Sequence, residues 1–181
     1  MIFISAGHNP NGLIVDPGAI GNGFHEADLT VEFRNLVVGL LRAKKIEVIT
    51  DKDDERLGDY LKRIKTGNGS VVLEFHFDAA GTSTATGTTV LIGNDADRLD
   101  KAFAKELVEA CANTLSIKNR GVKTEAESHR GSLGLMREQG TVALLEICFI
   151  TNKEDLRQYQ NNKMSLAYKI AEIVERYEKL I

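Results

Sequence analysis

The apolar residues of this chain follow two patterns that alternate along the sequence. Short, nearly continuous apolar runs predict buried strands, whereas a stripe that repeats every three or four residues predicts a helix. The runs predict strands at residues 2–5, 46–50, 70–75, 88–92 and 142–147. The stripes predict helices at residues 26–44, 56–65, 97–115, 153–159 and 165–180.

Alternating strands and helices indicate an α/β fold, here a single domain with a largely parallel central sheet flanked by helices. The 181 residues are a usual length for one domain. In such folds ligands bind beyond the carboxyl ends of the strands. We therefore expect the residues just after Ser5, Phe75 and Leu145 to meet at one edge of the sheet.

Composition and charge exclude several classes of protein. The hydrophobic fraction of 43% and charged fraction of 27% are ordinary for a soluble globular protein. A net charge of −3 argues against a nucleic-acid binder, which needs a basic face. No apolar stretch reaches the length of a membrane span, and the start of the chain does not read as a signal peptide.

Two cysteines, Cys111 and Cys148, fall in apolar surroundings and outside any C-x-x-C pair. We interpret both as small buried hydrophobic residues without a catalytic or disulfide role. The segment 7–24 is rich in Gly and Asn and contains both prolines. A long loop between ordered segments is typical of a functional site.

Two histidines stand near the ends of predicted strands. His8 follows the first strand, and His76 ends the third. A catalytic zinc is usually held by three protein ligands, often two imidazoles and a carboxylate, and Glu26 starts a helix at the same edge. Spacing alone leaves ordinary explanations open: a polar loop residue for His8, a backbone-bonded histidine for His76, and a carboxylate favoured by the helix dipole for Glu26.

Glu146 interrupts the otherwise apolar run Val142-Ala-Leu-Leu-Glu-Ile-Cys-Phe-Ile. Burying a carboxylate is costly unless it is paired, bound to metal or neutral. Glu146 either reaches solvent at the end of its strand or is a general base whose pKa is raised by its surroundings.

Taken in order, these segments resemble the zinc-dependent N-acetylmuramoyl-L-alanine amidases of the amidase-3 type. The resemblance is carried by Gly7-His8, by Asp16-Pro-Gly-Ala-Ile-Gly21, by Glu26 at a helix start, by His76-Phe-Asp-Ala79 and by Leu145-Glu-Ile-Cys-Phe-Ile-Thr-Asn152. Gly121-Val-Lys and the run 133–137 also look like the family's stretch before the catalytic strand. The match covers nearly the whole chain.

This resemblance implies a zinc ion on His8, Glu26 and His76, with Glu146 as the catalytic carboxylate. It implies hydrolysis of the amide bond between N-acetylmuramic acid and L-alanine in peptidoglycan, by a single catalytic domain over residues 1–181. Two other interpretations stay open: a zinc peptidase that cuts within the stem peptide, and an inactive wall-binding domain. A structural zinc site would be expected to close with four ligands, which speaks against the latter.

Three positions depart from the family's pattern. Ser5-Ala6 stands where Asp-Pro is more common, Cys148 where a glycine often precedes the aromatic residue, and Thr141 where a proline is common. None of these is a proposed ligand or the proposed base.

Further candidates and partners complete the expectations. His25 is a rival ligand beside Glu26, and His129 and Arg130 form a polar loop that either contacts substrate or is solvated. We expect a monomer that acts at the cell wall, in the periplasm or outside the cell. Without a signal peptide, it would be a phage lysin released through a membrane lesion or a secreted enzyme with its leader trimmed.

Overall fold

One sheet of six strands organises the chain in a computed structural model, which describes residues 1–11, 15–64, 69–128 and 131–180. The strands are β1 (Ile2–Ala6), β2 (Ile20–Gly21), β3 (Phe24–His25), β4 (Val48–Thr50), β5 (Val71–Asp78), β6 (Thr88–Ile92), β7 (Asn119–Thr124) and β8 (Thr141–Phe149). The helices are α1 (Glu26–Ala43), α2 (Leu57–Arg63), α3 (Arg98–Leu115) and α4 (Lys153–Glu178). Two 3₁₀ turns cover Glu125–Glu127 and Gly134–Arg137.

The strand order of the main sheet is β4-β1-β5-β8-β6-β7. Strands β4, β1, β5 and β8 run parallel, whereas β6 is antiparallel to β8 and parallel to β7. The predicted α/β fold with a largely parallel sheet is confirmed. Because β1, β5 and β8 are adjacent and parallel, their carboxyl ends lie side by side at one edge.

The two faces of the sheet are covered unequally. Helices α1, α3 and α4 pack on one face and form the main core, which includes Phe33, Phe75, Leu107 and Leu145. The opposite face carries a smaller apolar cluster with Tyr60 of α2 and the turn at Gly134–Arg137. Towards the carboxyl edge, this second face is polar, since Glu74, His76 and Glu146 alternate with the core residues of β5 and β8.

The predicted break in the last helix is wrong. Sequence reasoning placed helices at 153–159 and 165–180, but α4 is continuous from Lys153 to Glu178. The intervening stretch Gln-Asn-Asn-Lys-Met is polar but holds neither Gly nor Pro. The apolar stripe of Leu156 and Tyr159 resumes in phase at Leu166, so one helix buries both halves against the sheet.

Smaller elements also differ from the predictions. The hairpin β2–β3 begins within the predicted loop 7–24 and ends at His25. Its turn residues Asn22 and Gly23 both have positive φ, as a type I′ hairpin turn requires. Strand β7 was not predicted because it is a polar edge strand without an apolar run. Strands β5 and β8 continue past their predicted ends to Asp78 and Phe149.

Within the described parts of the chain, no helix combines the length and apolar character that crossing a membrane requires.

The continuity of α4 gives a test at Asn161, an exposed position in its middle. Asn161→Pro should lower the free energy of unfolding by about 3 kcal/mol, because proline removes a helical hydrogen bond and clashes with the preceding turn. Asn161→Ala, the matched control, should be neutral or slightly stabilising. Urea denaturation of the variants decides, and a proline variant as stable as the wild type would contradict a continuous helix.

Candidate metal centre

Three side chains predicted as ligands converge at the carboxyl edge of the sheet. His8 lies two residues after β1, Glu26 is the first residue of α1, and His76 lies in β5. One potential ligand atom from each residue lies within 4.8 Å of the others. The rings of His8 and His76 meet edge to face, with centroids 5.0 Å apart. The structure thus brings together residues that are far apart in the sequence.

The Glu26 carboxylate is the centre of this cluster. Its Oε1 accepts a hydrogen bond from the Phe77 backbone N–H at 2.9 Å, and its Oε2 accepts one from the Ala19 N–H at 2.8 Å. The same Oε1 lies 2.9 Å from His76 Nδ1 and 3.2 Å from His8 Nε2. Backbone groups from β5 and from the first loop therefore hold the carboxylate between the two imidazoles.

Glycine is required where the backbone passes these side chains. A Cβ atom at Gly7 would lie 2.1–2.6 Å from three atoms of the His76 ring, far inside contact distance. At Gly18, where φ is +63°, a Cβ would lie 2.7 Å from both Glu26 Oε2 and His8 Cδ2. The Gly-His pair of the first motif is thus a packing requirement: Gly7 makes room for the second histidine.

The electrostatics of the pocket favour a positive charge. Burial lowers the pKa of His76, but hydrogen bonds to Glu26 and Glu74 and the charge of Glu146 outweigh it and raise the pKa to about 10. Burial opposes ionisation of Glu26, yet the imidazoles of His76 and His8 hold its pKa well below the usual range. A divalent cation would supply the positive charge that this group of carboxylates favours.

The donor set fits zinc. Two imidazoles and one carboxylate are a usual ligand set for a catalytic zinc ion with an open position. His8 Nδ1 lies 3.0 Å from Asp16 Oδ2, which leaves Nε2 facing the cluster. A carboxylate behind a ligating imidazole is the usual support that orients such a ligand.

Glu146 lies directly beside this cluster. It is the register partner of His76 on the neighbouring parallel strand, so the two side chains share one face of the sheet. The residue is only 3% exposed, but it lines a cavity of about 160 Å³ together with Thr89, Arg120 and Lys123. The pairing of β5 and β8 shifts immediately after this position. Such bulges are frequent beside active sites, where they set the direction of a side chain.

The other predicted candidates lie elsewhere. His25 is exposed and pairs with Ile20 in the hairpin, outside the three-residue cluster. His129 and Arg130 lie outside the described residues. Cys111 and Cys148 are free and fully buried. Burial raises the pKa of Cys111 to about 12 and that of Cys148 well above its ordinary value, which disfavours the thiolate form of both residues.

Two supporting groups were missed by the sequence reasoning. The buried Arg34–Asp51 ion pair, 2.7 Å between Nη1 and Oδ1, holds the end of β1, because Asp51 Oδ1 accepts the Ala6 N–H at 3.2 Å. Glu74 lies against His76. The alternation in Leu73-Glu-Phe-His could have found Glu74, since it places this carboxylate on the face of His76. No local signal links Arg34 in a helix to Asp51 beyond a strand.

Proteins with a similar sequence or fold include N-acetylmuramoyl-L-alanine amidases. A model of the N-acetylmuramoyl-L-alanine amidase family matches residues 2–176. The amidase LytC of Bacillus subtilis is 26% identical over an alignment of 158 residues that covers 85% of this chain and 30% of LytC. The chain spans 72% of another curated relative from the same organism.

The fold itself recurs in solved structures. The catalytic domain of the amidase CwlV from Bacillus (Paenibacillus) polymyxa var. colistinus superposes with a TM-score of 0.80 at 23% identity, covering 99% of this chain and 98% of that one. The amidase AmiC2 of Nostoc punctiforme also gives a TM-score of 0.80, at 20% identity, with 98% and 96% covered. These likenesses show that the chain shares the fold of amidase catalytic domains.

Gly7→Ala should disrupt the centre, since the added methyl group occupies the space of the His76 ring. We expect a loss of about 1–3 kcal/mol in unfolding free energy, typical of overpacking, together with displaced His76 imidazole signals in NMR spectra. Gly39→Ala is the control, because a Cβ at this exposed position of α1 would meet nothing within 4 Å. This substitution should raise the free energy of unfolding by about 1 kcal/mol. Unchanged stability and His76 signals in Gly7→Ala would refute the packing argument.

Proposed function

Because the chain belongs to the amidase-3 family of N-acetylmuramoyl-L-alanine amidases and is therefore a peptidoglycan amidase, we propose that it hydrolyses the bond between N-acetylmuramic acid and L-alanine with a zinc ion held by His8, Glu26 and His76. Residues 1–181 would act as one catalytic domain. The observation that carries the proposal is the placement of Glu146 in register with His76, next to three converging ligand atoms.

His8, Glu26 and His76 would bind zinc through two imidazoles and one carboxylate. Zinc bound in this way lowers the pKa of a water molecule and polarises a carbonyl group. The protein's part is to fix the three donors before substrate arrives. Hydrogen bonds from the Phe77 and Ala19 N–H groups to Glu26 and the contact of His76 with Gly7 provide this rigidity.

Glu146 would move the proton. Its carboxylate takes a proton from the attacking water and then donates that proton to the amine nitrogen of the departing L-alanine. The backbone of Glu146 is held in place on both sides by strand pairing, and the Thr88 hydroxyl donates a hydrogen bond to its carbonyl at 2.8 Å. This gives the side chain a fixed starting point for proton transfer. The cavity beside it gives substrate and water access to an otherwise buried side chain.

The substrate places the activity at the cell wall, in the periplasm or outside the cell. We propose that the domain acts there as a monomer; His8, Glu26 and His76 converge within a single chain, so this ligand set needs no residue of a second copy. A zinc peptidase acting inside the stem peptide would use the same chemistry, so the products must separate the two.

Metal binding and proton transfer should separate by mutation. Wild-type protein should carry about one zinc per chain, and His8→Ala and His76→Ala should each lose it, because three ligands hold the ion. Glu146→Gln should keep the zinc and the fold but hydrolyse sacculi about 10²–10⁴-fold more slowly, the usual contribution of a general base. Metal analysis, circular dichroism and turnover test this. Full zinc in both histidine variants, or near-normal turnover of Glu146→Gln, would refute the assigned roles.

The bond that is cut gives the decisive test of the function. Digestion of purified sacculi should expose alanine at every new amino terminus and leave the glycan strands intact. New reducing ends would indicate a glycosidase, which needs a pair of carboxylates across a sugar ring. Labelling of free amines followed by sequencing of the released peptides identifies the bond. A new D-alanine or diaminopimelate amine would indicate a stem-peptide peptidase, and no product at all would indicate a wall-binding domain.

A further inference from the structure

A further buried carboxylate, Glu74, lies beside the proposed ligands without belonging to them. Glu74 is 4% exposed and precedes His76 by two residues in β5, so both side chains lie on the same face of the sheet. Among the described residues, the ligand atoms that converge belong to His8, Glu26 and His76. The position of Glu74 therefore calls for a separate explanation.

The two nitrogens of the His76 ring face two different carboxylates. Nδ1 lies 2.9 Å from Glu26 Oε1, on the side of the ligand cluster, and Nε2 lies 3.1 Å from Glu74 Oε1. A histidine that binds metal through one nitrogen donates the proton on the other, commonly to a carboxylate. Glu74 occupies the place of this acceptor.

The second oxygen of Glu74 is fixed as well. Ser5 is its register partner on β1, and the Ser5 hydroxyl donates to Glu74 Oε2 at 2.9 Å. Both oxygens are thus engaged, and the carboxylate has a defined orientation towards the His76 ring. In this chain Ser5 stands where the family's first motif more often has an aspartate, and its register partner on the neighbouring strand, Glu74, is a carboxylate.

Packing alone does not account for Glu74. Its neighbours on this face, Val72 of the same strand and Leu144 of β8, belong to an apolar cluster. A buried carboxylate costs free energy at such a place unless it is hydrogen-bonded. Strand pairing does not need it either, because the β1–β5 ladder is already continuous from Ile2 to Ala6.

We propose that Glu74 is a positioning residue that accepts a hydrogen bond from the Nε2–H group of His76. This hydrogen bond keeps the proton on Nε2 and leaves Nδ1 free to bind the zinc ion. The inference rests on the proposed function, since it takes His76 to be a zinc ligand. Glu74 touches neither substrate nor the reacting atoms; its effect on hydrolysis passes through the orientation and tautomer of His76.

The test is zinc affinity, measured by competition with a chelator, combined with ¹⁵N NMR of histidine-labelled protein. Glu74→Leu should bind zinc about 10–100-fold more weakly, the usual effect of losing such a partner. Its His76 should lose the single Nε2–H tautomer expected in the zinc-loaded wild type. Glu74→Gln keeps an acceptor oxygen, so it should retain this tautomer and show a smaller loss of affinity; it also serves if Glu74→Leu does not fold.

Asp155→Asn is the matched control, because Asp155 is an equally buried carboxylate that accepts the Gly87 and Phe149 N–H groups outside the centre. It should lower unfolding free energy without changing zinc affinity or the His76 tautomer. Wild-type zinc affinity and tautomer in a folded Glu74→Leu variant would overturn the inference, as would wild-type zinc affinity in Glu74→Gln or an equal loss of affinity in Asp155→Asn. A wild type that binds no zinc would instead refute the proposed function.

Discussion

Three carboxylates buried around one imidazole are the constraint on which this structure depends. Glu26, Glu74 and Glu146 are each less than 5% exposed, and all three raise the pKa of His76 through hydrogen bonds or charge. Negative charge is not buried in this way without compensation. The surrounding features provide that compensation. Backbone N–H groups donate hydrogen bonds to Glu26, the Ser5 hydroxyl donates one to Glu74, and the His76 imidazole lies between Glu26 and Glu74.

The unequal covering of the sheet makes this arrangement possible. Helices α1, α3 and α4 cover one face with a continuous apolar core that includes residues of β1, β5 and β8. The other face is only partly covered, by α2 and a short turn. Glu74, His76 and Glu146 lie on this face near the carboxyl edge of the sheet, and Glu146 also lines a cavity. A site built on strands in this way is more accurately placed than one built on loops.

The departures from the family's pattern have local physical explanations. Thr141 stands where a proline is common, and its backbone N–H donates to the Ser70 carbonyl at 2.8 Å, a bond that proline would not make. Cys148 stands in place of a glycine within the irregular pairing after Glu146 and is fully buried in the main core. Both residues lie in β8, and neither is a proposed ligand or the proposed base.

The sequence by itself predicted most of the helices and strands and nominated candidate chemical groups, because periodicity and motif order are local properties. It located β1, β6, α1 and α3 to within one residue at each end, and it singled out His8, Glu26, His76 and Glu146 as candidates. It failed where a local signal was weak or misleading: the polar stretch within α4 and the polar edge strand β7. Only the tertiary structure showed that a side chain at Gly7 would overlap the His76 ring. It also showed that Arg34 and Asp51 hold the end of β1, and that Glu74 contacts Nε2 of His76. Some of these contacts join residues from 17 to 69 positions apart in the sequence. The others depend on which neighbour a strand face meets, and this is set by the register between strands.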